Sequence, residues 1–315
     1  MNKRPLIILT GPTAVGKTKA SIGLAKAVGG EIISADSMQV YKYMDIGSAK
    51  IKLEEMECVP HFLVDALEPD EEFNVARFQA MAKEAMEEIY ERGHVPIVVG
   101  GTGFYIQALL YDIDFSKGEE NTEYRESLER FADEHGAHAL HEKLREVDPK
   151  SADGIHENNV KRVIRALEFY HQTGTRISEH NEKEFQKESP YNFAYFVLND
   201  DRKNLYHRID KRVDLMEEEG LVEEVRLLKE KGYHKEMVSM QGLGYKEVLD
   251  YLDGKCTLEE AIYIIKRDTR HFAKRQITWF KRERDVMWVN KQEFNYDEEA
   301  ILSHMLSVLK EKEII

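Results

Sequence analysis

Gly11, Gly16, Lys17 and Thr18 stand at the spacing G-x-x-x-x-G-K-T. That spacing suits one task, the holding of a polyphosphate. The glycines let the backbone wrap closely around phosphate oxygens. A helix that starts at the loop's end offers unpaired N–H groups and a partial positive charge. Lys17 adds a point charge, and the Thr18 hydroxyl suits Mg²⁺. The whole cradle is Gly11, Pro12, Thr13, Ala14, Val15, Gly16, Lys17 and Thr18. A second chemical group, Asp36, ends the short run Glu31 to Asp36. A carboxylate there can serve as a general base or a metal ligand; it can equally be a helix N-cap or a turn residue. A third is Thr102, within Gly100-Gly-Thr-Gly103.

These groups need elements to position them. Leu6 to Leu9 reads as a buried strand, and Ile22, Ala25 and Val28 recur at helical spacing after the loop. Asp36 follows a second strand, and ligands in open α/β sheets sit beyond the carboxyl ends of strands. His61 to Asp65 is a further apolar run ending in an acid, a Walker-B-like strand. Asn74 to Arg92 forms an amphipathic helix capped by Asn74, with Val75, Phe78, Ala82, Ala85 and Ile89 on its buried face. Val95 to Val99 is a central strand leading into Gly100-Gly-Thr-Gly103 and a helix over Phe104 to Leu110. An ordinary phosphate-loop NTPase shows an acid at this point, to hold magnesium and water. One neutral hydroxyl between glycines suits contact with a substrate better than activation of water. The plainer reading is a tight turn.

From about Asp114 the strand signals stop, and Glu123 to Glu134, Ala137 to Glu146 and Asn158 to His171 read as helices. The expectation is a helical insertion over residues 114–190 in a core built from 1–113 and 191–315. Phe193 to Leu198 returns to the sheet. Helices follow over Asn204 to Glu219 and Leu221 to Lys231, then a Gly-rich loop, Gln241 to Tyr245. Thr257-x-x-Glu260 is a capping box that opens a long helix, and Glu298 to Ile315 closes the chain as another.

The chain of 315 residues is 33% charged and 42% hydrophobic, an ordinary globular balance. It has no apolar run long enough to span a membrane, and the apolar segment at its start ends in the phosphate loop rather than in a signal cleavage site. Cys58 and Cys256 form no framework, which fits a reducing cytoplasm. The net charge of -14 argues against nucleic acid, but its distribution does not. Between Lys266 and Arg284 stand eight basic residues against Asp268 and Glu283 alone, a net +6 interleaved with His271, Phe272, Trp279 and Phe280. Basic and aromatic residues together suit single-stranded nucleic acid. Phe272 and Trp279, seven apart, suit a core face equally well. Lys161, Arg162 and Arg165 make a smaller basic cluster on an inserted helix.

With these residues in view, the chain resembles the bacterial tRNA dimethylallyltransferases over essentially its whole length. Gly11-Pro-Thr-Ala-Val-Gly-Lys-Thr18 is similar to their phosphate loop. Ile33 to Tyr41 with Met44 to Lys50, Val99 to Tyr105, Lys161 to Glu168, Gln241 to Lys246 and Ala273 to Phe280 resemble their later signatures, in order. The resemblance implies a P-loop NTPase-like parallel sheet and transfer of a dimethylallyl group from dimethylallyl diphosphate to N6 of adenosine 37 in tRNAs reading codons that start with U. It implies Asp36 as base on the adenine amine, Thr102 hydrogen-bonded to that base, and Lys17, Thr18 and Mg²⁺ on the leaving diphosphate. It further implies tRNA contacts at Asp36, Ser37, Met38, Gln39, Thr102 and Arg125, and at Lys161, Arg162, Val163, Ile164 and Arg165. The remaining implied contacts are Met240, Gln241, Gly242, Leu243, Gly244 and Tyr245, and Lys274, Arg275, Gln276, Ile277, Thr278, Trp279, Phe280 and Lys281. A cytoplasmic monomer without zinc is expected, since no Cys or His pair follows Cys256 at finger spacing. Three rivals share parts of this pattern: an adenylate isopentenyltransferase using AMP or ATP, a nucleoside- or shikimate-type kinase, and a non-enzymatic RNA-binding protein. A free nucleotide needs neither the insertion nor the basic helix, and the kinase fits Gly100-Gly-Thr-Gly103 poorly.

Overall fold

A computed structural model describes residues 3–115 and 122–315. Met1 and Asn2, from the basic N-terminus, and residues 116–121, from the expected insertion, lie outside the described residues. The chain divides into two compact units, residues 1–110 with 190–315, and residues 111–189.

The first unit is a six-stranded, wholly parallel sheet: β1 (Arg4–Thr10), β2 (Gly30–Ala35), β3 (His61–Phe62), β4 (Val95–Gly100), β5 (Tyr191–Asn199) and β6 (Val286–Asn290), in the order β3-β2-β4-β1-β5-β6. The strands read as apolar runs because a parallel sheet is covered on both faces. Leu6, Ile7, Ile8 and Leu9 are all buried. On one face Ile7, Leu9, Ile32, Ile97, Phe196 and Leu198 pack into a core with Ile22, Leu24 and Ala25 of α1 (Lys17–Val28). α2 (Val75–Glu91) packs against β2 and β4, with Asn74 Oδ1 accepting from Arg77 N at 3.0 Å as its N-cap. A short helix, α3 (Gly103–Leu110), follows β4.

The register sets the geometry of the site. Thr10 pairs with Gly100, and Gly100 pairs with Ala35. Three adjacent strands therefore end at one level, and the next residues in each, Gly11, Gly101 and Asp36, leave the sheet side by side. Gly100 has no space for a side chain, because a Cβ there would collide with the Ala35 carbonyl.

The second unit is helical: α4 (Thr122–Val147), interrupted at Gly136 (φ 85°, ψ 160°), then α5 (Pro149–Gly154), α6 (Val160–Thr173) and α7 (Ile177–Gln186). Leu128, Leu140, Leu144, Val163, Ile164 and Leu167 form its own core. Asp148 caps α5 through Ser151 and also accepts from Ser178 N and Oγ, so one carboxylate joins α5 to α7.

After β5 the first unit continues with α8 (Arg202–Glu218), α9 (Leu221–Glu230), α10 (Tyr245–Leu252), α11 (Leu258–Phe280) and, beyond β6, α12 (Glu298–Glu311). The capping box of α11 is formed from both sides, with Glu260 N donating to Thr257 Oγ1 and Thr257 N donating to Glu260 Oε2. Four elements differ from the sequence reading. The run ending at Asp65 is a strand for only two residues, His61 and Phe62, since Leu63 and Asp65 take positive φ and turn the chain away. Tyr245 opens a helix rather than closing a loop, and α7 and β6 carry no strong periodic signal of their own.

Candidate active site

A cavity of about 420 Å³ opens at the carboxyl ends of the strands. Thr13 and Ala14 of the phosphate loop line it, together with Asp36, Gly101 and Thr102. The residues leaving three neighbouring strands thus meet in one place. Gly11 (φ 146°) and Gly16 (φ 100°) hold the loop in backbone conformations that other residues rarely adopt. Lys17 Nζ donates to the carbonyls of Gly11 and Pro12, both at 2.9 Å. Burial pulls its pKa down to about 8, against the raising effect of Asp36 and with a smaller lowering from Arg212. Lys17, Asp36 and Arg212 therefore share one electrostatic neighbourhood.

Asp36 is a turn residue that also faces the cavity. Its Oδ1 accepts from Met38 N at 2.8 Å and Gln39 N at 3.3 Å, the bonds of a turn residue. The carboxylate nevertheless lines the cavity. The turn fixes the acid in place and leaves Oδ2 without a hydrogen bond among the described residues. Thr102 starts α3, its carbonyl accepting from Tyr105 N and Ile106 N, and its hydroxyl makes no hydrogen bond to the described residues. The glycines beside it are explained by the protein itself rather than by a substrate. A Cβ on Gly101 would strike the Gln276 amide, and one on Gly103 would strike the Trp279 ring.

Gln276 is a clamp. Its Oε1 accepts from Thr13 N, and its Nε2 donates to Gly101 O, both at 2.9 Å. The long α11 thereby joins the phosphate loop to the Gly-Gly-Thr-Gly turn. The rest of the cavity is largely apolar, with Phe73, Tyr105, Ile209, Val213, Met216 and Phe272 among its walls. Arg212, on α8, stands among them half-buried; desolvation lowers its pKa while Asp36 opposes the shift. Arg212 is a site residue that motif reading passes over. Its only signal is a cation among Ile209, Val213 and Met216 on the inward face of a helix.

The expected RNA contacts separate by burial. Gln241, Gly242 and Leu243 line the cavity and Met38 packs on Gly242, but Met240 and Tyr245 are fully buried. On α11, Lys274, Arg275 and Thr278 are exposed, as is Lys281 just past it, while Gln276 and Phe280 are buried and Ile277 packs on the core. Trp279 packs edge-on to Phe104. The basic patch also divides. Lys266 pairs with Asp214, Arg267 with Asp268 and Arg270 with Asp210, whereas Lys274, Arg275, Lys281 and Arg282 form no ion pair among the described residues. In the second unit Lys161, Arg162 and Arg165 are exposed, and Val163 and Ile164 lie in the core. Arg125 grips the buried Glu168 through two bonds of 2.9 Å. The Walker-B-like acid, Asp65, pairs with the buried Lys50, which also holds Asp45 and the Tyr41 carbonyl.

Residues 39–283 match the sequence profile of a known family, IPP transferase. The chain belongs to that family. It is a transferase enzyme. It is 62% identical over 312 residues to a tRNA dimethylallyltransferase of Lachnoclostridium phytofermentans, covering 99% of both chains. It is 53% identical over 296 residues to one of Acetivibrio thermocellus, covering 94% of this chain and 95% of that one. Its fold matches the crystal structure of a tRNA isopentenylpyrophosphate transferase from Bacillus halodurans with a TM-score of 0.74 at 46% identity, over 99% and 98% of the two chains. It also matches a eukaryotic dimethylallyltransferase acting on tRNA, with a TM-score of 0.78 at 32% identity, over 91% of this chain and 74% of that one. The parallel sheet with its phosphate loop is thus the P-loop NTPase-like fold expected from the sequence. Among the described residues, no helix is long and apolar enough to cross a membrane.

Proposed function

We propose that the protein transfers a dimethylallyl group from dimethylallyl diphosphate to N6 of adenosine 37 in tRNAs that read codons starting with U. One observation carries this reading: a phosphate loop and an acid with a free oxygen face one cavity whose other walls are mostly apolar. Phosphate, prenyl chain and amine each find their own chemistry there. The names of the protein's relatives support a dimethylallyl group as what is moved and tRNA as what receives it.

In this reading the loop N–H groups, Lys17 and the start of α1 hold the diphosphate and stabilise the charge it gains on leaving. Asp36 Oδ2 takes the proton of the adenine amine as the new C–N bond forms, and the Thr102 hydroxyl bonds the same base. Arg212 lies near Asp36 and the loop and favours the anions on both sides. Mg²⁺ fits the loop by the chemistry of its donors. The Thr18 hydroxyl is exposed and makes no hydrogen bond to the described residues, and hard cations take such oxygens together with phosphate oxygens. Among the described residues no cluster of three His, Cys, Asp or Glu forms a metal site without a phosphate. When bound, the ion would neutralise diphosphate charge. The exposed cations of α11 and α6 would hold the RNA, and the reacting base would turn out of its stack to enter, at a cost of a few kcal/mol. A tRNA substrate supports work in the cytoplasm.

The test is a transfer assay with labelled dimethylallyl diphosphate and Mg²⁺, offering an unmodified anticodon stem-loop and AMP in parallel. Label on the stem-loop at adenosine 37 is expected. Label on AMP alone would move the protein to the small-molecule transferases. In the same assay Asp36→Ala should retain RNA binding and lose about 10²–10⁴-fold in turnover, the usual worth of a positioned general base. Unchanged turnover would remove Asp36 from that role.

A further inference from the structure

Glu224 lies outside the cavity and outside every motif read from the sequence, yet its carboxylate is among the most heavily bonded of the described residues. It accepts from three consecutive backbone N–H groups: Asp45 at 2.9 Å, Ile46 at 2.7 Å and Gly47 at 3.0 Å. It accepts a fourth bond from Tyr245 Oη at 2.8 Å. Successive N–H groups that converge in this way form an anion-binding nest. Such nests commonly hold a phosphate; this one holds the protein's own carboxylate.

The bonds tie two walls of the cavity to α9. Gly47, the last residue of the nest, and Ser48 after it line the cavity. Gly47 lies flat against the buried Tyr245 ring, so close that a Cβ would come within 2.6 Å of Cζ. Tyr245 opens α10 directly after Gln241, Gly242 and Leu243, which line the cavity from another side. Glu224 itself sits on α9, next in the chain after α8 with its lining residues Arg212 and Met216. The phosphate loop is held separately, by Gln276 and by Lys17.

We propose that Glu224 is a positioning residue that sets the acceptor side of the cavity independently of the donor side. By gripping Asp45 to Gly47 it fixes Gly47 and Ser48 against Tyr245 and keeps them at a set distance from the Gln241–Leu243 wall. The acceptor base enters between these walls. This inference rests on the proposed transfer to a nucleobase.

Glu224→Gln tests it. An amide offers one acceptor oxygen and turns an NH₂ group toward donors, so the nest loses its anion. With the stem-loop as varied substrate, kcat/KM should fall about 10- to 100-fold, the range for removal of charge-assisted hydrogen bonds. The KM for dimethylallyl diphosphate, and the affinity for inorganic diphosphate measured without RNA, should stay within about twofold of wild type, since the residues that hold the donor are unchanged. Glu224→Asp should recover part of the loss. Equal kinetics in wild type and Glu224→Gln would overturn the proposal, as would a fall in kcat with neither KM moved, which is the mark of a partly unfolded enzyme. A matching loss of diphosphate affinity would overturn it too, by showing the two sides to be coupled. If Glu224→Gln does not fold, Tyr245→Phe carries the same test, since it removes one donor and leaves the charge, and about a threefold rise in the stem-loop KM is expected. Wild-type enzyme inactive on the stem-loop would instead sink the proposed function, so the two failures are distinct.

Discussion

Lys17 shows how much of the site rests on single groups. Its ammonium is buried against two carbonyls of its own loop, and burial brings its pKa down to about 8. At neutral pH it carries the charge a diphosphate needs; above pH 8 it progressively loses it. For the free enzyme, kcat/KM for the diphosphate donor should therefore decline as pH rises through about 8, toward a slope of about -1 in a logarithmic plot. Lys17→Arg keeps its charge at all these pH values and should lose the descending limb, at a lower maximum. A wild-type profile flat through pH 8 would place the Lys17 charge outside donor binding. Lys17, Asp36 and Thr102 are legible in the sequence because each sits at a fixed offset from a strand end, and strand ends are written in apolar runs. Gln276, Arg212 and Glu224 are not legible as a clamp, a cavity-lining cation and the occupant of a nest. Each is an ordinary residue type on an ordinary amphipathic helix, and its partner lies well over a hundred residues away. Only the fold brings Thr13 to Gln276 or Gly47 to Glu224.

Among the elements, α11 does two jobs along one length. Its first half carries Lys266, Arg267 and Arg270, all ion-paired, and its second half presents Lys274 and Arg275, with Lys281 just beyond, free of ion pairs among the described residues while Gln276 reaches inward. A charge count along the sequence reads one patch of +6, because it does not show that Asp210 and Asp214 of α8 lie opposite the first half. The consequence is a division within the patch. Lys274→Ala with Arg275→Ala should weaken stem-loop binding and reduce its salt slope by roughly 0.7–0.9 for each phosphate no longer neutralised. Lys266→Ala with Arg270→Ala should leave that slope alone and lower stability modestly, by about 1 kcal/mol or less per partly exposed pair. Filter binding across a salt series, with thermal melts beside it, decides; equal slopes for both double variants would mean that the ion pairs do not divide the helix. Helix ends are sharp in the sequence where a cap is written there, as at Asn74 and Thr257. β6 is not, because Val286 to Asn290 is short and follows a charged run; it becomes a strand by pairing with β5 along an existing edge. The two-residue β3 falls short for the opposite reason, since positive φ at Leu63 ends it before Asp65 can reach the sheet edge.

The whole molecule is acid-rich, with a net charge of -14, and yet is proposed to hold RNA. The two facts are compatible because binding follows local fields, and screening limits the reach of distant acids to about 8–10 Å at ordinary salt. The second unit makes the point in isolation. It has its own core, so its surface can change without disturbing the sheet that carries Asp36 and the phosphate loop. On α6, Val163 and Ile164 hold that core, while Lys161, Arg162 and Arg165 are exposed, with no ion pair among the described residues. Arg125 differs from them, because its guanidinium is bound to the buried Glu168; removing it would leave a carboxylate buried without its partner, a stability defect of about 3–5 kcal/mol that would hide any RNA effect. The informative variant is therefore Lys161→Ala with Arg162→Ala and Arg165→Ala. It should melt at the wild-type temperature and bind diphosphate normally. Its stem-loop KM should rise by roughly tenfold or more, with a shallower salt slope, if these cations meet phosphates. A free nucleotide acceptor offers no stem, so any transfer to it should be untouched by the triple change. A stem-loop KM that stays at the wild-type value would confine RNA recognition to the first unit and leave the exposed face of α6 as solvated surface.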